Sequence, residues 1–214
     1  NYALLSRLEN VPPFTSSSEK VLESPSTIQW NKLSKISEQI YSSTSIAEYG
    51  MPILCNVCSE YIAVGTSKQM VLLFSYSQVL LLKVQTENLT EDVSITTVSL
   101  SVDSTYMAVG YSSGHINLWD LKKTSPLLSL PPVTFEELQF NGRHYHIAHL
   151  QNVPISTIEF SGTRHTSFIS SDQSGMLILH KANRVLSTFF CRSRILYGEF
   201  KIGELLKLKE STKD

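Results

Sequence analysis

Two stretches carry residue types that bind metals or exchange electrons. Cys55-Asn56-Val57-Cys58 has the CxxC spacing, and Arg143-His144-Tyr145-His146-Ile147-Ala148-His149 gathers three histidines. A structural zinc takes four ligands, usually from a second cysteine pair. Only Cys191 remains, with no Cys-x-x-His near it. A redox CxxC sits at a strand-to-helix turn, whereas this one ends an expected strand, so it reads as a buried or turn position. In extended backbone His144 and His146 share a face and His149 falls on the other. Zinc or copper ligation by His144, His146 and His149 would make the chain a metal-dependent enzyme. No HExxH is present, and the nearest acids, Glu136 and Glu137, lie several residues upstream. The preferred reading puts the cluster in a long connection, with His149 just before a strand and bonded to its neighbours. There is no GxSxG, GxxxxGK or GxGxxG. No enzyme activity, catalytic residue, cofactor or metal is therefore expected.

The elements that hold these residues repeat. Tyr61-Ile62-Ala63-Val64-Gly65-Thr66-Ser67 before Val71-Leu72-Leu73-Phe74 is matched by Tyr106-Met107-Ala108-Val109-Gly110-Tyr111-Ser112 before Ile116-Asn117-Leu118-Trp119. Tyr61, Ala63 and Gly65 each recur 45 positions later, and Phe74 is matched there by Trp119. A weaker third copy turns through Gly175, which lies 61 positions after Gly114. Each copy reads as four short strands separated by Ser, Asp, Gly and Lys-rich turns. The expected strands are 52–55, 61–65, 71–74 and 78–83, then 96–100, 106–110, 115–119 and 126–130, then 155–160, 166–170, 176–180 and 184–189.

Four antiparallel strands at this spacing, with Trp119-Asp120 ending one of them, are the signature of a WD-repeat blade. Such a sheet cannot bury both faces alone and stacks on its neighbours. The expected fold is all-β: a partial WD-repeat-like β-propeller of about three legible blades. Ile195-Leu196-Tyr197 reads as a possible fourth start. Trp119, Asp120, Gly65, Gly110, Gly175 and His149 are expected to be structural blade residues. The hydrogen-bonded tetrad of strong WD repeats is not evident, since Phe74-Ser75 and His180-Lys181 stand where Trp119-Asp120 does. Arg164 and His165 are candidates for a partner contact on the rim, or a solvated turn.

The expected organisation is an irregular lead over 1–29, a short helix within 30–45, blades over 46–200 and a charged tail over 201–214. In the segment Trp30-Asn31-Lys32-Leu33-Ser34-Lys35-Ile36-Ser37-Glu38-Gln39-Ile40-Tyr41-Ser42, Leu33, Ile36 and Ile40 share one helical face.

Length and charge narrow the classes further. The 214 residues carry 17% charged side chains and a net charge of -1. No global field favours nucleic acid or anionic lipid. The most apolar run, Met70-Val71-Leu72-Leu73-Phe74, is far short of the ~18 residues a spanning helix needs. The first residues do not read as a signal peptide. Three cysteines cannot all pair with one another, which fits a reducing compartment.

The order of these features resembles the amino-terminal propeller of the vacuolar protein sorting-associated protein 8 family, its fungal members above all. The resemblance is carried by Tyr61 to Ser67 with Val71 to Phe74, by Gly114-His115-Ile116-Asn117-Leu118-Trp119-Asp120, and by Ile158-Glu159-Phe160-Ser161-Gly162-Thr163-Arg164-His165-Thr166 continuing to Ser171-Asp172-Gln173-Ser174-Gly175. It implies a non-catalytic subunit of the CORVET endosomal tethering complex. Its implied partners are other tethering-complex subunits and a Rab GTPase of the early endosome. The implied place is the cytoplasm, with peripheral recruitment to the endosome membrane before SNARE-driven fusion. Family members continue into an α-solenoid and a zinc-binding RING-type domain, which these residues do not include, so no zinc is carried over. A WD-repeat adaptor of coat or ubiquitin-ligase machinery is the alternative.

Overall fold

The structure is a computed structural model that describes residues 31–85, 90, 92–140, 147–161, 166–185 and 188–198. Trp30, His144, His146, Arg164 and His165 lie outside the described residues. All the elements below belong to the compact unit Leu33–Asp214.

Two short helices lead, α1 (Ser34–Ile40) and α2 (Ser43–Tyr49). The single short helix expected within 30–45 is thus divided. Ser42 has extended backbone and its hydroxyl accepts from Ser45 N–H, capping α2, a role serine fills better than it fills a helix interior. Helical backbone runs to Tyr49, beyond the start expected for the blades at 46.

Three four-stranded antiparallel sheets follow, each in chain order. The first blade is β1 (Pro52–Val57), β2 (Ile62–Thr66), β3 (Met70–Phe74) and β4 (Leu80–Gln85). The second is β5 (Ile95–Leu100), β6 (Tyr106–Tyr111), β7 (Ile116–Asp120) and β8 (Ser125–Leu130). After α3 (Phe135–Phe140) comes the third: β9 (Ile155–Phe160), β10 (Ser167–Asp172), β11 (Leu177–Val185) and β12 (Thr188–Tyr197). In the first two blades the observed strand ends lie within two residues of those expected. The third differs. Residues 184–189 straddle the connection between β11 and β12 instead of forming a strand, and Ile195-Leu196-Tyr197 is the end of β12 instead of a fourth start. The run His180-Lys181-Ala182-Asn183-Arg184 has no Gly, Pro or Asp to stop β11, so the hairpin runs on. Helix α3 lies in the long spacer that the sequence left unassigned. Thr134 and Glu137 cap it reciprocally, Thr134 N–H donating to Glu137 Oε2 at 2.7 Å and Glu137 N–H to Thr134 Oγ1 at 3.3 Å, the arrangement of a capping box.

The repeat is a repeat of register. Ile62 pairs with Phe74, Met107 with Trp119 and Phe168 with His180. The stacking is repeated as well. Ala63, Val71 and Leu73 on one face of the first blade pack against Val98, Met107 and Val109 of the second. Ala108, Ile116 and Leu118 on the second blade's other face pack against Ile158, Phe168 and Ala182 of the third. The other face of the first blade, bearing Ile62, Val64, Leu72 and Phe74, is covered by Ile36 and Tyr49 of the helices. The first strands lie side by side, β1 next to β5 and β5 next to β9. Between the second and third blades Gly110 permits this closeness. A Cβ on Gly110 would come within 2.8 Å of both Ile155 and Thr97 side-chain carbons.

Candidate functional site in the third blade

The third blade gathers polar groups where its neighbours have mostly apolar ones. Counting 45 and then 61 positions along the chain, Val64 and Val109 correspond to Ser170, Thr66 and Tyr111 to Asp172, and Phe74 and Trp119 to His180. Ser170 and Asp172 alternate along β10 and so share a face, and His180 joins them from β11. His149 enters from the connection before β9.

These side chains form one chain of hydrogen bonds. His149 Nδ1 lies 2.7 Å from Asp172 Oδ2, and His149 Nε2 lies 2.6 Å from Ser170 Oγ. Ser170 Oγ is 2.8 Å from His180 Nε2, and His180 Nδ1 is 2.9 Å from Ser193 Oγ on β12. An ionised carboxylate only accepts, so His149 Nδ1–H donates to Asp172. With both imidazoles neutral, Ser170 O–H donates to His149, His180 Nε2–H donates to Ser170, and Ser193 O–H donates to His180. Asp172 Oδ1 accepts from the hydroxyl and N–H of Ser174 at 2.6 and 2.9 Å and from Met176 N–H at 3.1 Å. Burial opposes ionisation of Asp172, but donation from His149 and Ser174 outweighs it and holds the carboxyl below its ordinary value. The His180 ring stacks on Phe168 with centroids 4.8 Å apart.

Asp172, His149 and Ser170 are ordered as in a hydrolytic triad, yet the site cannot act as one. Ser170 is fully buried and its oxygen is shared between two imidazoles, so no substrate carbonyl can reach it. The arrangement holds β10, β11, β12 and the incoming chain together. It also supplies the tetrad that the sequence did not reveal, with His180 in the aromatic position. Asp172, Ser170, His180 and Ser193 were missed. Their signal was the 61-residue offset from Trp119 to His180, together with Asp172 opening the Ser174-Gly175 turn.

The other expected residues fall as follows. Trp119 packs in part against the core between the first two blades, and its indole N–H is buried without an acceptor among the described residues. Asp120 is buried and its Oδ1 accepts from Lys122 and Lys123 N–H, both at 3.0 Å. Gly175 turns the β10–β11 hairpin at a φ of +85°, where a side chain is strained. Cys55 is exposed in β1, while Cys58 Sγ lies 3.1 Å from Ser104 Oγ on the second blade, so the cysteines of the CxxC do not converge on one site. Both ring nitrogens of His149 are taken by the blade, which removes it from the suggested metal set.

The family model described as "Vps8 beta-propeller" matches residues 26–210. The chain belongs to that family. Vps8-family relatives include the vacuolar protein sorting-associated protein 8 of Saccharomyces cerevisiae, 30% identical over 181 residues, which covers 75% of this chain and 13% of the relative. The mouse homolog is 28% identical over 194 residues, covering 88% of this chain and 12% of the relative. The chain thus spans about an eighth of these relatives' length. The Myceliophteria thermophila Cps50 (Swd1) β-propeller domain superposes with a TM-score of 0.50 at 16% identity, covering 76% of this chain and 43% of that one. This likeness shows a shared fold: an all-β, partial WD-like propeller. Among the described residues no helix is long and apolar enough to cross a membrane.

Proposed function

We propose that the chain is the propeller part of a membrane-tethering subunit, a non-catalytic scaffold acting in endosomal vesicle docking and in protein sorting to the vacuole. In this reading it works through complex assembly and binds a Rab GTPase of the early endosome, and it is recruited from the cytoplasm to the endosome membrane as a peripheral protein. The observation that carries the reading is the family match over residues 26–210. The geometry supports it: the blades stack on one another with loops between their strands, where contacts are commonly presented, and the most reactive-looking constellation is buried.

The test is capture of the chain on an immobilised early-endosomal Rab loaded with a non-hydrolysable GTP analogue or with GDP. Retention on the GTP form alone is expected. Equal retention on both forms, or none, overturns the Rab part of the reading.

A further inference from the structure

We infer that the hydrogen-bonded chain from His149 to Ser193 is a one-proton switch: in mild acid it takes up a single proton, keeps the charge on His149, and reverses its direction from Ser170 to Ser193. Ser170 limits the count. Its oxygen lies 2.6 Å from His149 Nε2 and 2.8 Å from His180 Nε2, and its one hydroxyl proton serves only one of those rings. With both rings charged, each would aim an N–H at Ser170, and the hydroxyl proton would have no acceptor. That loss is costly in a buried site. Two positive rings would also stand with centroids 6.2 Å apart, both almost wholly out of water, where like charges oppose each other.

Asp172 decides which ring keeps the charge. Its carboxylate is 2.7 Å from His149 Nδ1, whereas His180 Nδ1 faces the uncharged Ser193 hydroxyl at 2.9 Å. Hydrogen bonds between ionised partners are the stronger kind. The other neighbours among the described residues supply no rival carrier. Ile158 and Phe160 on β9 stand opposite Ser170 and Phe168, and the second blade presents Ala108, Ile116 and Leu118. Cys191 Sγ is 3.7 Å from Ser193 Oγ, and burial pushes its thiol up, so it stays uncharged. Burial also favours the neutral form of His115 in the β6–β7 turn. Arg184 lies four residues from His180 along β11, about 13 Å away, and acts on Tyr106 together with Asp120 and Asp103.

The protons balance. One proton enters at His180 Nδ1 as the Ser193 O–H turns away toward Cys191. His180 Nε2–H passes to Ser170 Oγ, and the former Ser170 proton passes to His149 Nε2. His149 ends as an imidazolium paired with Asp172. His180 ends neutral, its proton moved from Nε2 to Nδ1, and Ser193 changes from donor to acceptor. The inference does not rest on the tethering reading and fails or stands separately from it.

The test is long-range proton–nitrogen correlation NMR on the 15N-labelled 214-residue chain between about pH 8 and 5, where histidines change charge. These spectra distinguish the two neutral tautomers from the imidazolium. The expected result is one shared midpoint at which His149 becomes an imidazolium and His180 moves from the Nε2–H to the Nδ1–H form. In Ser170→Ala, checked for folding by its melting curve, the tautomer change at His180 is lost. The parent spectra decide the matter alone if that variant does not fold. Both rings becoming imidazolium, His180 keeping its Nε2–H form while His149 charges, or neither ring changing before the chain unfolds overturns the inference. A tautomer change that persists in folded Ser170→Ala does so as well.

Discussion

His149 and Asp172 show how one buried pair can look catalytic and be structural. Both are almost wholly excluded from water, so removing one partner strands the other. His149→Ala is expected to cost about 3–5 kcal/mol, read as a lower midpoint in denaturant. The Asp172 carboxyl is held low, so its contribution is complete above the unfolded value and is lost as pH falls through the depressed folded one. Asp172→Asn is expected to be less stable than the parent at neutral pH. The gap starts to narrow below about pH 4, the unfolded value, and closes as pH falls through the depressed folded value, where the parent's carboxylate also takes up its proton. Stability measured across pH 2 to 7 checks this, and a constant gap contradicts it. Trp119 behaves differently. Its ring fills space beside the inter-blade core while its N–H has no described acceptor. Trp119→Phe, which copies Phe74 of the first blade, keeps most of the ring and removes the orphan donor. It is expected to change stability by under about 1.5 kcal/mol, whereas Trp119→Ala costs about 3–5 kcal/mol. Denaturant melts of the two variants separate these outcomes.

At the level of elements, the two aligned glycines are not equivalent. A Cβ on Gly65 meets chiefly the Leu54 side chain, at 2.9 Å, and Ile95 at a comfortable 3.6 Å. A Cβ on Gly110 meets Ile155 and Thr97 together, all within 2.9 Å. Leu54 can rotate away, but two β-branched side chains held between adjacent first strands cannot. Gly110→Ala is therefore expected to cost about 1–3 kcal/mol, and Gly65→Ala less, in parallel thermal melts. Recurrence of glycine was legible in the sequence. That the second copy bears the tighter contact was not, because Ile155 arrives from beyond a long spacer. Strand existence was legible wherever alternation met Ser-Gly or Asp-Ser turns. It failed at 184–189, where no residue punctuates the chain and pairing with β12 carries β11 onward. Division of the lead at Ser42 was hidden for a related reason: the apolar spacing of Leu33, Ile36 and Ile40 continues to the cap, and nothing apolar marks where the axis changes.

Across the molecule, one rule of stacking covers three sheets and two helices. The face bearing Met107 and Val109 rests on the first blade, the face bearing Phe168 on the second, and the matching face bearing Ile62 and Phe74 on α1 and α2. The helices cover that face of the first blade, so Ile36→Ala should cost about 2–5 kcal/mol. Amide exchange should speed up first in β2 and β3, beneath that helix. Faster exchange confined to the third blade would contradict this arrangement. The sequence by itself determined the blade unit and its 45-residue recurrence, recurring glycines included. These follow from the two-residue period of strands and from turn chemistry, which are local. Only the tertiary structure decided that His149 meets Asp172, Ser170 and His180, and that helices cover a face of the first blade. Those outcomes depend on which faces meet, and contact between residues distant in the chain leaves no periodic trace.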